Sequence, residues 1–183
     1  MRTKATLWAV MIGTVAAIIA VGLITVLLPI GGSKSEAKIP PEIRTALYGA
    51  ERMELYSILP EMKDPQGPGT FRGYTILGKT EITDASTRGR LATALEDGTR
   101  DANVVAMCFN PHHGLRLVQG GRTIDLVICF TCRQVVVYRT EDLRKYETFL
   151  VTISPLETFT KILSDAGVPL PPMENLANSK WSD

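Results

Sequence analysis

Gly120-Gly121 stands between two runs of alternating apolar and polar residues, and this junction restricts the fold more tightly than any other stretch of the chain. A two-residue hairpin turn demands positive φ, which glycine adopts without the Cβ penalty. Once that turn closes, the register follows. Leu117 faces Ile124 and Leu115 faces Leu126, while on the opposite face Arg116 meets Asp125 as a cross-strand charge pair. Continued outward, the pairing puts Gly114 against Val127 and His112 against Cys129. A one-residue bulge would bring His113 there instead, so both histidines stay open on these grounds.

Other short β-rich runs flank this hairpin. Arg52–Leu59, Phe71–Ile82 (interrupted by glycine), Val104–Phe109, Arg133–Thr140 and Tyr146–Ile153 all read as strands separated by turn residues. Pro60–Thr70 carries three prolines and two glycines, which predicts a loop without regular structure. Pro40-Pro41 opens a short helix whose Ile43, Ala46, Leu47 and Ala50 share one face. A second helix begins at Thr83 or Asp84 and is expected to end near Asp97, with Gly98 as the left-handed terminal residue. Ser154-Pro155-Leu156-Glu157 predicts a capping box opening a third helix that Gly167 ends. The fold class is therefore α+β: an antiparallel β-meander with two or three helices, preceded by one transmembrane helix.

That last element comes from the first thirty residues. Ala5 to Ser33 contains no charged side chain and Leu7 to Ile30 is almost wholly apolar, long enough to cross about 30 Å of hydrocarbon as a helix. Its length exceeds the usual apolar region of a cleaved signal peptide, and no small-x-small cleavage site follows it. The expected organisation is a signal anchor over residues 1–32, a linker over 33–40, a soluble α+β domain over 41–172 and a tail over 173–183. A very short basic head, Arg2 and Lys4, favours a single-pass cell-membrane protein with its domain on the extracytoplasmic side, although Lys34, Lys38 and Arg44 nearly balance it. Lys plus Arg is 20 against 19 Asp plus Glu, so no electrostatic footprint for nucleic acid exists. The partners expected are the membrane and an unidentified protein.

All three cysteines and both histidines fall between Cys108 and Cys132. Three chemistries compete for them. Thiolates and imidazole suit tetrahedral zinc, and Cys108, His112 or His113, Cys129 and Cys132 would form a Cys3His site. Fifteen residues separate His113 from Cys129, a spacing compatible with two half-sites. Alternatively, Cys129-x-x-Cys132 forms a structural or redox disulfide with Cys108 left over. A thioredoxin-like site places this motif at a helix N-terminus, whereas here it interrupts two β-rich runs. The third possibility is that the cysteines are small buried hydrophobes and the histidines turn or core residues. Arg133 follows Cys132 where c-type haem attachment requires histidine, so no haem is expected. No phosphate-cradling glycine loop, nucleophile elbow or His-Glu-x-x-His occurs, so no nucleotide is expected and no catalytic residue is assigned. Tyr56, Tyr74 and Tyr138 sit at strand positions as packing residues, and Asp125 is Arg116's partner before it is a base.

Cys108-Phe109-Asn110-Pro111-His112-His113-Gly114 followed by Cys129-Phe130-Thr131-Cys132 resembles an uncharacterised group of bacterial membrane-anchored or exported proteins carrying a Cys-Phe-x-Pro-Arg/His-His-Gly and a later Cys-Phe-x-Cys pattern. Glu54-Leu55-Tyr56-Ser57 and Phe71-Arg72-Gly73-Tyr74 are similar too, so the likeness spans most of the soluble part. In that pattern His113 is the matching histidine and His112 stands where arginine is common. The resemblance implies a site and no activity. The leading expectation is thus a structural zinc site of Cys108, His113, Cys129 and Cys132, with His112 the alternative ligand, on a binding or assembly module leaning away from enzyme. The rival is a membrane-tethered thiol-disulfide protein using Cys129-x-x-Cys132.

Overall fold

A computed structural model describes residues 36–63 and 67–172. The expected anchor at 1–32 and tail at 173–183 lie outside the described residues, among which no helix is long and apolar enough to cross a membrane. The described chain runs α1 (Pro41–Gly49), β1 (Arg52–Met62), β2 (Thr70–Phe71), β3 (Tyr74–Glu81), α2 (Ala85–Arg100), β4 (His113–Gln119), β5 (Arg122–Cys129), β6 (Gln134–Tyr138), β7 (Tyr146–Leu150) and α3 (Leu156–Asp165). Seven strands form one antiparallel sheet in the order β2-β3-β1-β4-β5-β6-β7. The α+β class and the meander, which is β4 to β7, are as the patterning predicts.

The glycine turn sets the register as expected. Leu117 pairs with Ile124, Arg116 with Asp125, Leu115 with Leu126 and Gly114 with Val127. Gly120 and Gly121 both take positive φ, 56° and 74°. Because strand residues alternate between faces, this one register commits leucines and isoleucines to one side. There they join Ile43 and Leu47 of α1, Leu91 and Leu95 of α2, and Phe159 and Leu163 of α3 in the main core. All three helices therefore pack on the same face of the sheet.

The other face has its own cover. Tyr56, Ile58, Phe71, Tyr74, Val127, Val136 and Tyr138 form a second apolar cluster. The β2–β3 turn, at Arg72 (φ 52°) and Gly73 (φ 92°), carries Phe71 onto β4. A Cβ added at Gly114 would lie 2.5 Å from the Phe71 ring, so that position accepts only glycine beneath the aromatic. Tyr56 stacks on Phe71 with ring centroids 4.4 Å apart.

Through this layer runs a buried ion triad. Arg116 donates two bonds to Asp125, Nε to Oδ1 at 2.8 Å and Nη2 to Oδ2 at 2.7 Å, and Arg72 Nε donates to Oδ2 at 2.7 Å. Arg72 also donates to the Thr140 carbonyl at 2.8 Å. The Asp125 side chain is 0 % exposed and that of Arg72 4 %. Its bond to Asp125, followed by the opposing effect of burial, holds the Arg116 guanidinium more firmly charged than a free one. Glu54 on the same face accepts from Lys79 and Tyr56, each at 2.8 Å. Burial pushes its carboxyl upward, and these bonds together outweigh it, leaving the group below the usual carboxylate range.

Four local expectations need correction. β1 runs on through Pro60 to Met62, because its pairing with β3 is irregular between Ile58 and Met62 and leaves a proline with no ladder bond to break. Gly98 lies inside α2, which extends to Arg100; a Cβ there would lie 2.5 Å from Pro155, so glycine serves close helix contact and not a left-handed end. Val104–Phe109 is no strand: residues 101–112 are irregular, and Val104, Val105 and Met107 point outward. Ser154 caps nothing, since its hydroxyl bonds Thr152 Oγ1 at 2.9 Å while Pro155 occupies the cap. The predicted ends otherwise hold. Asp84 accepts from the Thr87 N–H at 2.7 Å. Gly167, with φ 69°, closes α3 through Val168 N–H to Leu163 O and Gly167 N–H to Ser164 O.

Candidate functional site

Where β5 ends, the chain reverses through residues 130–133 and returns as β6, with Gln134 opposite Cys129. Arg133 takes φ 59° to complete the turn, and its N–H donates to the Phe130 carbonyl at 3.1 Å. Within this turn Cys129 and Cys132 are joined by a disulfide, Cα to Cα 5.1 Å, and both are buried. Cys108 is a free, exposed thiol.

The sulfurs sit in a main-chain cradle. Asn110 N–H donates to Cys132 Sγ at 3.1 Å, and the Asn110 carbonyl oxygen lies 3.1 Å from Cys129 Sγ. Cys132 N–H donates to Cys129 Sγ at 3.1 Å, and the Thr131 hydroxyl is 3.4 Å from the same sulfur. The cradle is held down by the Ala106 N–H, which bonds the Cys132 carbonyl at 3.0 Å. In the disulfide, Cys129 has no proton and the Asn110 carbonyl receives nothing from it. In the dithiol, a Cys129 S–H finds that carbonyl already in place as acceptor, and a Cys132 thiolate keeps the Asn110 N–H. The surroundings thus offer partners to both redox states.

A disulfide this short contributes little to stability. Closing so small a loop removes about 2 kcal/mol of chain entropy from the unfolded state, against about 4.7 kcal/mol for a loop of about 100 residues. Ladder bonds from Asp125–Tyr138 to Cys129–Gln134 already close the same hairpin.

The histidines lie elsewhere. His113 heads β4 and is fully buried, its ring edge-on to Phe130 (centroids 5.3 Å) and Phe159 (6.0 Å), with Nε2 3.4 Å from Thr160 Oγ1. Burial, with a smaller contribution from His112, pushes its pKa down to about 3, so the imidazole is neutral. His112 is partly buried, which lowers its pKa against an opposing pull from Glu61, and its carbonyl accepts from Ile58 N–H at 3.1 Å. Of the four expected ligands, the structure brings Cys129 and Cys132 together, as a disulfide. It leaves Cys108 at the surface and turns His113 into the aromatic core. Among the described residues no group of three or more His, Cys, Asp or Glu side chains is placed to hold a metal ion.

Sequence reasoning located the cysteines and missed what surrounds them. Asn110 acts through its backbone, which leaves no side-chain signature. Thr131 lay in plain view between the cysteines. Comparison with protein-family models, with curated proteins and with solved structures finds no match to this chain.

Proposed function

We propose that this chain is a thiol-disulfide protein whose working group is the Cys129–Cys132 pair. The observation that carries the proposal is a disulfide that closes a turn already closed by the sheet, set in a cradle with hydrogen-bond partners for sulfur in either state. The bond's contribution lies at the low end of what disulfides add to stability, and its cradle suits exchange. The reaction is dithiol exchange with a partner polypeptide. A partner thiolate attacks one sulfur, the Cys129–Cys132 bond breaks, and the released thiolate takes up a proton. The partner's second thiol then displaces the mixed disulfide, leaving the partner oxidised and Cys129 and Cys132 reduced. Both cysteines are buried and the Asn110 backbone lies against both sulfurs, so it must yield for a partner to reach them.

The same reading supports export. Disulfides persist in oxidising compartments, which suits a domain held outside the cell by the apolar segment at residues 1–32. The test is redox titration of the full-length protein. A midpoint between about −270 and −120 mV, the span of exchange catalysts, is the expected result; one below about −300 mV marks a merely structural bond and ends the proposal. Elemental analysis of the reduced protein decides the zinc alternative. About one zinc per chain, with thiols that react only after chelation, would install the Cys3His site in place of the exchange reaction.

A further inference from the structure

Helix α2, with 16 residues, runs about 24 Å and links two differently built ends of the domain. Its first turn meets the glycine hairpin: Arg88 donates to the Ala50 and Glu51 carbonyls, and Glu51 Oε1 accepts from Gly120 N–H. Its last turns meet the segment that leaves the cysteine turn, where Thr152 N–H donates to the Gly98 carbonyl at 2.7 Å and Val151 N–H to that of Arg133 at 3.1 Å. The chain also enters the domain here. Lys38 N–H donates to Thr99 Oγ1 and Lys38 Nζ to the Ala102 carbonyl, each at 3.1 Å, and Ile39 is buried. The point of entry is thus pinned beside the loop that follows α2.

That loop turns apolar side chains into water. Seven large hydrophobic side chains are exposed among the described residues, and three of them, Val104, Val105 and Met107, fall in one stretch of four. No Asp, Glu, Lys or Arg occurs between Asp101 and Arg116. The stretch is irregular, and Ala106 N–H ties it to the Cys132 carbonyl at 3.0 Å. Clustered apolar exposure of this kind marks a surface that meets protein or lipid. The reach of the chain selects lipid. The charge-free run Ala5 to Ser33, long enough to cross a bilayer, ends five residues before Lys38 (38 − 33), which is at most about 18 Å of extended chain. Val104 stands two residues after Ala102, the residue that holds Lys38.

We infer that residues 104–107 form a lipid-binding loop that dips into the bilayer interface, with Val104, Val105 and Met107 among the headgroups. Shallow insertion takes apolar side chains out of water while the headgroup region still hydrates the backbone. Deeper entry is closed to an irregular loop, whose polar groups would go unsatisfied in hydrocarbon. The inference rests on the anchoring role proposed for residues 1–32 and not on thiol exchange. Because Ala106 lies within the loop and binds Cys132, a loop seated in lipid holds the disulfide turn at the membrane surface.

Cys108, exposed, free and next to Met107, is the place for a reporter, since Cys129 and Cys132 are joined and do not react. Full-length protein in phosphatidylcholine vesicles is labelled there with a nitrobenzoxadiazole fluorophore, and lipid bearing a nitroxide high on its acyl chain is included. Quenching should be about twofold or more stronger than for a label at the far hairpin, placed by Arg122→Cys with Cys108→Ser. Val104→Ser, Val105→Ser and Met107→Ser together change only exposed side chains and should lower the Cys108 signal to that of the far label. Carbonate extraction of the unlabelled chain reads the anchor separately. Release from the vesicles ends the anchoring reading and this inference with it, whereas retention with an unquenched label at Cys108 overturns the loop alone. Quenching that survives the triple substitution overturns it as mere nearness. Shielding from aqueous iodide without quenching by lipid overturns it too, as the mark of a loop covered by protein.

Discussion

Strand β5 begins and ends in a tight reversal, and the two are built on opposite principles. At its start, Gly120-Gly121 turns the chain chiefly with backbone freedom: both residues take positive φ, and nothing beyond their chain neighbours lies within 4 Å of where a Cβ would stand. One side-chain bond, Gly120 N–H to Glu51 Oε1 at 2.9 Å, steadies the turn. At its end, residues 130–133 turn the chain with a left-handed arginine, a backbone bond from Arg133 to Phe130, a disulfide and a second loop laid across the sulfurs. Both reversals join neighbouring antiparallel strands in regular register. Reversal alone asks for no more than the first provides. The added covalent bond and its cradle at the second are therefore surplus to folding, and the surplus is where chemistry is to be sought.

Substitutions along β5 put this contrast to the test. Midway between the turns, Asp125→Ala strands Arg72 and Arg116 and should be the most severe, destabilising by about 3–5 kcal/mol, since removing one member of a buried ion group leaves uncompensated charge. Urea denaturation measures it. Both turns should be weakened together, because Asp125 ties the hairpin to the β2–β3 turn.

Acid should discriminate the two ends. His113, beside the disulfide turn, is neutral in the fold with its pKa pushed down to about 3, against about 6.5 unfolded. Its folded pKa is the lower one, so the unfolded state binds the extra proton. Stability is full above pH 6.5 and falls as pH drops from 6.5 towards 3, by about 1.4 kcal/mol per pH unit from this group. Denaturation midpoints at pH 7, 6 and 5 should show that slope, and His113→Leu should flatten it. An unchanged slope in the variant would place the acid sensitivity elsewhere.

The turns themselves come next. Gly120→Ala with Gly121→Ala should destabilise by about 2–4 kcal/mol, as each alanine is forced into the left-handed region. Cys129→Ala with Cys132→Ala should cost no more than about 2 kcal/mol. Its clearer effect is local: the Asn110 and Ala106 amides should exchange with solvent much faster, while amides of the β4–β5 ladder keep their protection. If instead the cysteine variant is the more damaging of the two, the disulfide is structural and the contrast between the turns collapses.

How much of this could be read in advance follows the same division. The glycine turn was legible because a two-residue loop and a period of two leave one register, and Arg116–Asp125 came with it. The helix starts at Pro41 and Asp84 were legible because caps are local. What depends on distant partners was not. Pro60 looked like a loop residue, since nothing nearby reveals that the β1–β3 pairing is irregular there. Gly98 looked like a helix end, although its role is to admit Pro155, 57 residues on (155 − 98). Arg72 gave no sign that it would reach Asp125. The cysteines were found by type, but their state hangs on which groups the fold brings near them: His113 is drawn away by Phe130 and Phe159, and the backbone of Asn110 takes the space beside the sulfurs.

The position of β1 between β3 and β4 has a consequence for how the molecule assembles. The other pairings join strands adjacent in the chain, or in the case of β1 and β3 strands separated only by the two-residue β2, whereas the β1–β4 seam joins residues such as Arg52 and Val118, with α2 intervening. Closing that seam is the entropically expensive step, so the meander and the β1–β3 hairpin form early and dock late. Arg72 and Asp125 are brought together by that docking. Arg72→Ala should hence speed unfolding and leave the refolding rate nearly unchanged in stopped-flow measurements; slower refolding would put the seam in the transition state. For a chain emerging gradually from a ribosome or a translocation channel, the first hairpin must wait, with one edge of β1 open, until residues beyond Gln119 arrive.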